Sequence, residues 1–189
     1  MWFSTWNGFA RFDGKRFKNF RLRSTDSYAI SSSRFEHIYE DKLGFIWLES
    51  YDNKAHRFDP ATETFTGLSA LESYRNKSFL LSKISIQPSG KVWLISGKHG
   101  CICVLDSAFN IREFTTENNM LYSDLVYEVY EDKQGDSWIL TDNGLYQLKK
   151  DSPKPIPYFI NSPDTGSFRL PFYCYADVND EIWFGSSRG

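Results

Sequence analysis

Tryptophan recurs at a nearly constant interval along this chain of 189 residues. Five of the six tryptophans are separated in turn by 45, 46, 45 and 45 residues: Trp2, Trp47, Trp93, Trp138 and Trp183. A fixed interval is the mark of a repeat protein, and one near 45 residues with strand-like composition predicts the blades of a β-propeller. We therefore expect an all-β fold in which these tryptophans occupy one equivalent core position in successive sheets.

Each repeat has the pattern of four short antiparallel strands. In the best-defined repeat, an inner strand at Val126–Tyr130 is followed by a polar turn, by the strand that carries Trp138, and by an Asn-Gly type turn at Asn143. Stacking such sheets radially buries both of their faces and leaves no long open edge. The predicted repeats cover approximately residues 1–34 (partial, without an inner strand), 35–80, 81–124, 125–171 and 172–189 (partial), within a single propeller domain over 1–189.

Paired carboxylates occur twice, at Glu40-Asp41 and at Glu131-Asp132. Such pairs suggest acid–base catalysis, but both lie in the same turn of their repeats, where a side-chain oxygen can cap backbone donors. Neighbouring residues on a strand also point to opposite faces, which does not suit glycosidase chemistry. A structural role in the turn is the favoured interpretation.

Charge and hydropathy exclude several partners. The formal net charge is −2 and the charges are interspersed, so no basic stripe is available for a nucleic acid. No apolar run is long enough to span a membrane, and the first residues do not resemble a secretion signal. We expect any export signal or membrane segment to lie outside this chain.

Cysteine and histidine give no metal-binding pattern. We expect Cys101, Cys103 and Cys174 to be buried free thiols. The three histidines share no ligand-type spacing and have no cysteine near them: His37, His56 and His99. The sequence therefore predicts no metal site, no cofactor and no readable set of catalytic residues.

Three segments of the chain resemble a known family of repeats. Gly8–Gly14, Val129–Trp138 and Ile182–Ser186 are similar to the two-component regulator propeller repeat, and the match extends over nearly the whole chain. The resemblance implies a seven-bladed propeller in the periplasmic input region of hybrid sensor histidine kinases, often ones that detect oligosaccharides in gut bacteria. Repeats two and three depart from the pattern, at Glu49 and at Gln87–Ser89 respectively.

The chain holds about four repeats, fewer than the resemblance implies. We expect it to be a segment of a larger receptor whose complete protein carries a histidine kinase. Two alternatives remain open: a ring of four blades that closes on itself, or two chains that associate through open blade edges.

Candidate ligand-binding residues lie in the hairpins and loops expected on one rim. The longest predicted loops, at 66–79, 115–124 and 150–171, emerge beside the hairpins between second and third strands. The candidates on these hairpins are Trp6, Tyr51, His99, Asn143 and Arg188. Trp6 is the one tryptophan outside the register; its ring could stack on a sugar or cover a neighbouring loop. His99 also fits an ordinary solvated turn residue.

Three classes of function remain at this point. A non-catalytic sensor of oligosaccharides is favoured because the repeat resembles receptor propellers. A propeller enzyme acting on carbohydrate is the second class, since a site assembled across blades is invisible in sequence. The third is a protein-interaction scaffold, which lacks support because the Gly-His and Trp-Asp signatures of WD repeats are missing.

Overall fold

The chain is built from short antiparallel strands. The computed structural model describes residues 1–6, 8–20, 34–71, 74, 79–160, 173–176 and 181–185. Within them lie one short 3₁₀ helix, Leu68–Ala70, and the following strands: β1 (Trp2–Thr5), β2 (Gly8–Phe12), β3 (Phe17–Phe20), β4 (Phe35–Glu40), β5 (Ile46–Ser50), β6 (Ala55–Asp59), β7 (Thr64–Gly67), β8 (Lys83–Ile86), β9 (Val92–Ile95), β10 (Cys101–Val104), β11 (Ile111–Phe114), β12 (Val126–Glu131), β13 (Ser137–Thr141), β14 (Gly144–Leu148), β15 (Ile156–Ile160), β16 (Tyr173–Ala176) and β17 (Ile182–Gly185). The predicted all-β class is confirmed.

Strands that follow one another in the chain pair in antiparallel fashion within one sheet. Three sheets have four strands each, in the orders β4-β5-β6-β7, β8-β9-β10-β11 and β12-β13-β14-β15. Among the described residues the first sheet has three strands, β1-β2-β3, and the last has two, β16-β17. This up-and-down order with short connections is the blade pattern that the repeat predicts.

The register tryptophans occupy equivalent places in their ladders. Trp47 pairs with Tyr39 of β4 and Arg57 of β6, and Trp138 pairs with Tyr130 of β12 and Gln147 of β14. In three repeats, the turn that leads into the tryptophan strand has a glycine three residues before the tryptophan. The φ angle is 83° at Gly44, 98° at Gly90 and 83° at Gly135. Because a side chain is strained at these angles, the recurring glycine is explained by the turn.

The degree of burial differs among the five rings. Trp47 and Trp93 are fully buried, and Trp2 and Trp138 are half-buried. Trp183 departs from the predicted core environment, because 60% of its surface is exposed. Its sheet has only the strands β16 and β17 among the described residues, so no described third strand lies beside β17 to cover the ring.

The chain divides into two compact units, residues 1–84 and 85–189. In the first unit, apolar side chains from the first two sheets form one layer: Phe9, Phe20, Phe35, Ile46, Leu48 and Phe58, with Trp2, Ile38 and Phe65 at its margin. In the second unit the third and fourth sheets share a layer: Trp93, Ile95, Cys101, Cys103, Phe114, Leu121, Val126, Val129, Ile139, Tyr146 and Leu148. Burial of facing apolar surfaces is the main stabilising contribution to each unit.

One predicted loop contains a strand. The sequence predicts one of the longest loops at about 150–171, but Ile156–Ile160 forms β15 at the edge of the fourth sheet. Pro157 disguises this strand in the sequence because proline cannot donate a ladder hydrogen bond, yet an edge position tolerates it. No helix among the described residues has the length and apolar character needed to cross a membrane.

Candidate functional site

In the first four repeats, the hairpins between second and third strands are held by a hydroxyl side chain three residues after the register tryptophan. Thr5 Oγ1 donates to the carbonyl of Gly8 at 2.8 Å, and Thr141 Oγ1 donates to that of Gly144 at 2.9 Å. In the third repeat Ser96 Oγ instead accepts from the backbone N–H of the turn. These short bonds fix the hairpins on which the candidate residues lie.

Two of the candidate aromatic residues meet around one arginine in the first unit. The guanidinium carbon of Arg34 lies 4.2 Å from the ring centroid of Trp6 and 4.2 Å from that of Tyr51. Trp6 is 80% exposed and Tyr51 is 58% exposed. We call these three residues the aromatic–arginine cluster; at these distances the guanidinium is attracted to both rings.

The backbone places Arg34 beside Tyr51. The amide of Tyr51 donates to the carbonyl of Arg34 at 3.0 Å, and Asp142 makes the same bond to Leu125 two repeats further on. Trp6 and Tyr51 are themselves equivalent, each four residues after a register tryptophan. The repeat geometry therefore supplies the positions, and the sequence supplies an aromatic ring at two of them and a cation at the third.

A depression of about 220 Å³ adjoins the cluster. It is lined by Ser4, Thr5, Trp6, Arg34, Phe35 and Glu36. Glu36 is exposed, and Phe35 is buried beneath it in the apolar layer of the first unit. The depression thus has an aromatic wall, one cation, one anion and hydroxyl groups over a rigid base.

Of the other three candidates, two lie in the second unit and one lies outside the described residues. His99 is exposed, and its Nδ1 lies 3.2 Å from Ser96 Oγ within its own hairpin. Asn143 is half-buried, and its amide donates to Thr141 Oγ1 at 3.2 Å. Arg188 lies outside the described residues.

Ser50, Asp52 and His56 approach one another, in an arrangement unlike a catalytic triad. Ser50 Oγ donates to Asp52 Oδ1 at 2.6 Å, and His56 Nε2 lies 3.4 Å from Ser50 Oγ. The carboxylate therefore contacts the hydroxyl, whereas a triad needs it on the imidazole. Burial is the main cause that lowers the pKa of His56 to about 4, and the charge of Asp52 opposes this effect.

Glu49, a departure from the family pattern, organises a second polar group on β4 and β5. Its Oε2 lies 3.0 Å from His37 Nδ1, and its Oε1 accepts the amide of Ile84 at 2.5 Å. Burial first, then the charge of Glu49 and a hydrogen bond to it, raise the pKa of Tyr39. The carboxylate of Glu49 thereby ties β4 and β5 to the strand that begins the next repeat.

The aspartates of the Glu-Asp pairs have a structural role in their turns. Asp41 Oδ2 accepts the indole N–H of Trp47 at 2.7 Å, and Asp41 Oδ1 accepts the backbone amides of Leu43 and Phe45. Asp132 accepts the indole N–H of Trp138, also at 2.7 Å. A single carboxylate thus caps the turn and holds the tryptophan of the next strand.

Glu131 links two sheets within the second unit. It is 3% exposed, and its carboxylate accepts the amide and hydroxyl of Ser89 at 2.9 and 2.7 Å. Lys91 Nζ lies 3.0 Å from Glu131 Oε2. In addition, Gln87 Nε2 donates to the carbonyl of Val129 at 3.0 Å. The unusual Gln87–Ser89 turn of repeat three is therefore used for contact with the next sheet.

Cys101 and Cys103 are poor nucleophiles. Burial is the main cause that raises the pKa of Cys103 to about 11, and burial also raises the pKa of Cys101. A thiol that stays protonated neither attacks nor binds metal readily. In the part of the chain that the structure describes, no group of three or more His, Cys, Asp or Glu side chains could hold a metal ion.

Sequence reasoning missed Arg34. Its position lies thirteen residues before a register tryptophan, and the equivalent positions in repeats three and four hold Leu80 and Leu125. The signal in the sequence was an arginine at a position that holds leucine in the next two repeats. Its two partners, however, belong to different repeats, so their meeting depends on how the sheets pack.

Comparison with known proteins identifies the fold. No protein-family model and no curated protein matches the sequence. Among solved structures, the extracellular domain of the hybrid two-component system protein BT3049 of Bacteroides thetaiotaomicron matches 100% of this chain, with a TM-score of 0.64 and 18% identity. The corresponding domain of BT4673 from the same bacterium matches 97% of the chain, with a TM-score of 0.58 and 21% identity. In both cases the chain spans 26% of the other protein's length.

An enzyme shares the fold. Virginiamycin B lyase from Staphylococcus aureus matches 95% of this chain and 56% of its own, with a TM-score of 0.59 and 17% identity. Identities this low compare architecture alone, since one fold hosts many functions. The predicted blades are confirmed, and the chain has the β-propeller fold of the extracellular domains of bacterial hybrid two-component systems.

Proposed function

We propose that this chain is a non-catalytic, ligand-sensing propeller segment of a bacterial two-component sensor, facing the periplasm, and that it binds oligosaccharide at the aromatic–arginine cluster. The observation that carries the proposal is the pair of exposed rings, Trp6 and Tyr51, held on braced hairpins beside a depression. The fold shared with extracellular sensor domains supports it.

Exposed aromatic rings on a rigid support suit carbohydrate. The C–H face of a sugar ring is apolar and packs on an indole or phenol ring, while its hydroxyls bond to polar groups at the edge. Trp6 and Tyr51 supply the rings, and Ser4 and Glu36 in the depression supply polar groups. Large exposed aromatic residues without such use favour non-specific association.

The polar clusters elsewhere in the described chain favour binding over catalysis. Asp41, Asp132 and Glu131 are engaged in turns and between sheets. Ser50 is 3% exposed and bonded to Asp52. A general acid or nucleophile needs access to substrate, which such buried, fully engaged groups do not have.

A signal requires that the ligand bind one arrangement of the receptor more tightly than another. The aromatic–arginine cluster joins residues of two repeats, with Trp6 in the first, Tyr51 in the second and Arg34 where the two repeats meet. A sugar seated there contacts both sheets and favours one packing of the pair. Association of receptor subunits through open blade edges is the readout we propose.

Thermal shift and calorimetry with a defined panel test this proposal. The panel consists of tri- to hexasaccharides from xylan, arabinan, mannan and polygalacturonate, added to the 189-residue chain and to Trp6→Ala. We expect one class to raise the melting temperature, and Trp6→Ala to lower its affinity by about tenfold.

Phe17→Ala is the matched control. Phe17 is an exposed ring, 61% accessible, at the opposite end of the first sheet, where it pairs with Phe12. This variant should keep the response to the sugar. Indifference to every sugar together with a stable protein complex would favour an interaction scaffold, and turnover of any sugar at catalytic rates would make the chain an enzyme.

A further inference from the structure

The cation in the aromatic–arginine cluster is the feature that neutral-sugar binding leaves unexplained. Two exposed rings alone would give the platform, yet Arg34 stands where repeats three and four carry leucine. Its guanidinium lies 4.2 Å from both ring centroids. A leucine there would pack against Trp6 and Tyr51 without the cost of holding a charge between them.

The guanidinium of Arg34 brings a planar set of donors to the depression. The guanidinium carbon of Arg34 lies 4.2 Å from both ring centroids, and Arg34 lines the depression beside them. A guanidinium carries five N–H donors in one plane. A carboxylate matches two of these donors at once in a bidentate pair. The two rings also restrict the side chain, so less conformational freedom is lost when an anion binds.

The depression limits the size and charge of that anion. Its volume of about 220 Å³ is below the roughly 300–1,000 Å³ of pockets that hold drug-sized molecules, and it suits a single sugar ring of a longer chain. Glu36 lines the same depression. Its negative charge repels a second anionic group, and its oxygens accept hydrogen bonds from sugar hydroxyls.

On these grounds, and building on the proposed function, we propose that the cluster recognises a uronic acid residue within an oligosaccharide. The carboxylate of the sugar pairs with the edge of Arg34, the C–H face of its ring packs on Trp6, and its hydroxyls bond to Glu36 and Ser4. One anion per ring, flanked by hydroxyls, fits this set of groups. A polysulfated sugar fits poorly because Glu36 faces its additional charges.

The test uses two ligands with the same sugar backbone, one with free carboxylates and one with every carboxylate converted to a neutral methyl ester. Trigalacturonate and its fully methyl-esterified form are titrated calorimetrically into the 189-residue chain, into Arg34→Gln and into Phe17→Ala. We expect the unaltered chain and Phe17→Ala to bind the free acid about tenfold more tightly than the ester, as hydrogen bonds to charged groups allow. Arg34→Gln should bind the two forms equally, with the loss confined to the acid.

Two further measurements sharpen the result. Arg34→Lys keeps the charge but loses the planar fork, so the acid-to-ester preference should fall to an intermediate value. A heparin-derived hexasaccharide should bind more weakly than trigalacturonate, and Glu36→Gln should narrow that gap. Thermal melting of each variant establishes that it is folded. If a variant does not fold, the ratio of the affinities of the unaltered chain for the acid and the ester still tests the proposal.

The outcomes separate this inference from the proposed function. Equal affinity of the unaltered chain for acid and ester, or an equal loss of both in Arg34→Gln, overturns the uronate assignment and leaves oligosaccharide sensing intact. Stronger binding of the polysulfated sugar also overturns it. Binding of no sugar by the unaltered chain overturns both proposals.

Discussion

Repeats two and three have the same strand plan and differ in where each places a polar group in its core. In repeat two, the indole N–H of Trp47 is bonded to Asp41. In repeat three, Gln87 stands at the position of Asp41, and no described residue accepts a hydrogen bond from the buried indole N–H of Trp93. Gln87 turns instead toward Val129 of the next sheet.

At a second position, the buried polar side chain belongs to repeat two and its equivalent in repeat three is apolar. On the third strand of repeat two, His56 is buried opposite Leu48, whereas the matching residue of repeat three is Ile102, opposite Leu94. The unbonded indole of repeat three thus has a bonded equivalent in repeat two, and the buried histidine of repeat two has an apolar equivalent in repeat three. An unpaired buried polar group costs free energy, so we infer that the shared apolar layers hold the plan together and tolerate such local defects.

Removal of the aspartate in repeat two should have the largest effect of the substitutions considered. Asp41→Ala deprives the indole of Trp47 and the amides of Leu43 and Phe45 of their acceptor. We expect a loss of about 4 kcal/mol in the free energy of unfolding, because several donors are left unsatisfied. Urea denaturation at pH 7 measures it.

The corresponding change in repeat three provides the contrast. Gln87→Ala removes bonds to Ser85 and Val129 but takes no partner from Trp93, so we expect a loss of only about 1 kcal/mol. Equal losses for the two variants would show that the Asp41–Trp47 bond has no special weight in repeat two.

The buried histidine should make repeat two sensitive to acid. The pKa of His56 is about 4 in the folded chain and near 6.5 when unfolded, so the unfolded chain binds more protons between these values. Stability is therefore fully present above about pH 6.5 and is lost as the pH falls toward 4, by a total of about 3 kcal/mol.

His56→Ile, which copies Ile102 of repeat three, isolates this contribution. Carboxylates titrate in both proteins, so the difference between their stability curves reports the histidine alone. Urea denaturation at pH 7, 5.5 and 4.5 should show the two curves diverging toward acid, with the variant the more stable. Parallel curves over this range would contradict the assignment of a buried neutral imidazole.

The tryptophan interval was sufficient to predict the sheets, and it could not predict which polar groups are satisfied. Strand order follows from local alternation and turn residues, which recur in each repeat at Gly44, Gly90 and Gly135. The lack of a partner at Trp93 depends on the side chain of Gln87 turning toward Val129, which is 42 positions away. Such a choice between two partners is set by packing.

The candidate site was predicted in part for the same reason. Trp6 and Tyr51 are visible in the sequence because they interrupt a hairpin pattern of small polar residues. Arg34 was not visible, since its contacts join the first two repeats. The edge strand β15 was hidden by Pro157. Local sequence patterns therefore predict where a residue lies in its repeat, whereas contacts between repeats determine which residues form the site.

Replacement of each tryptophan by phenylalanine compares the two indoles directly. Both Trp47→Phe and Trp93→Phe leave a cavity of similar size in a fully buried site. Only Trp47→Phe also leaves the buried Asp41 Oδ2 without its donor. We expect Trp47→Phe to cost about 1–2 kcal/mol more than Trp93→Phe in urea denaturation. A larger cost for Trp93→Phe would imply that its indole N–H is well satisfied.

Tyr51→Ala should have the smallest effect on stability. Tyr51 is equivalent to Gly97 of repeat three, so the hairpin plan does not require a ring there. The ring is 58% exposed, and its contact with Arg34 is worth about 0.5 kcal/mol at a site open to water. Thermal and urea unfolding should therefore change little, while the response to the sugar panel falls. A loss above about 1.5 kcal/mol would mean that Tyr51 is part of the framework of repeat two, and the aromatic–arginine cluster would then be explained by folding alone.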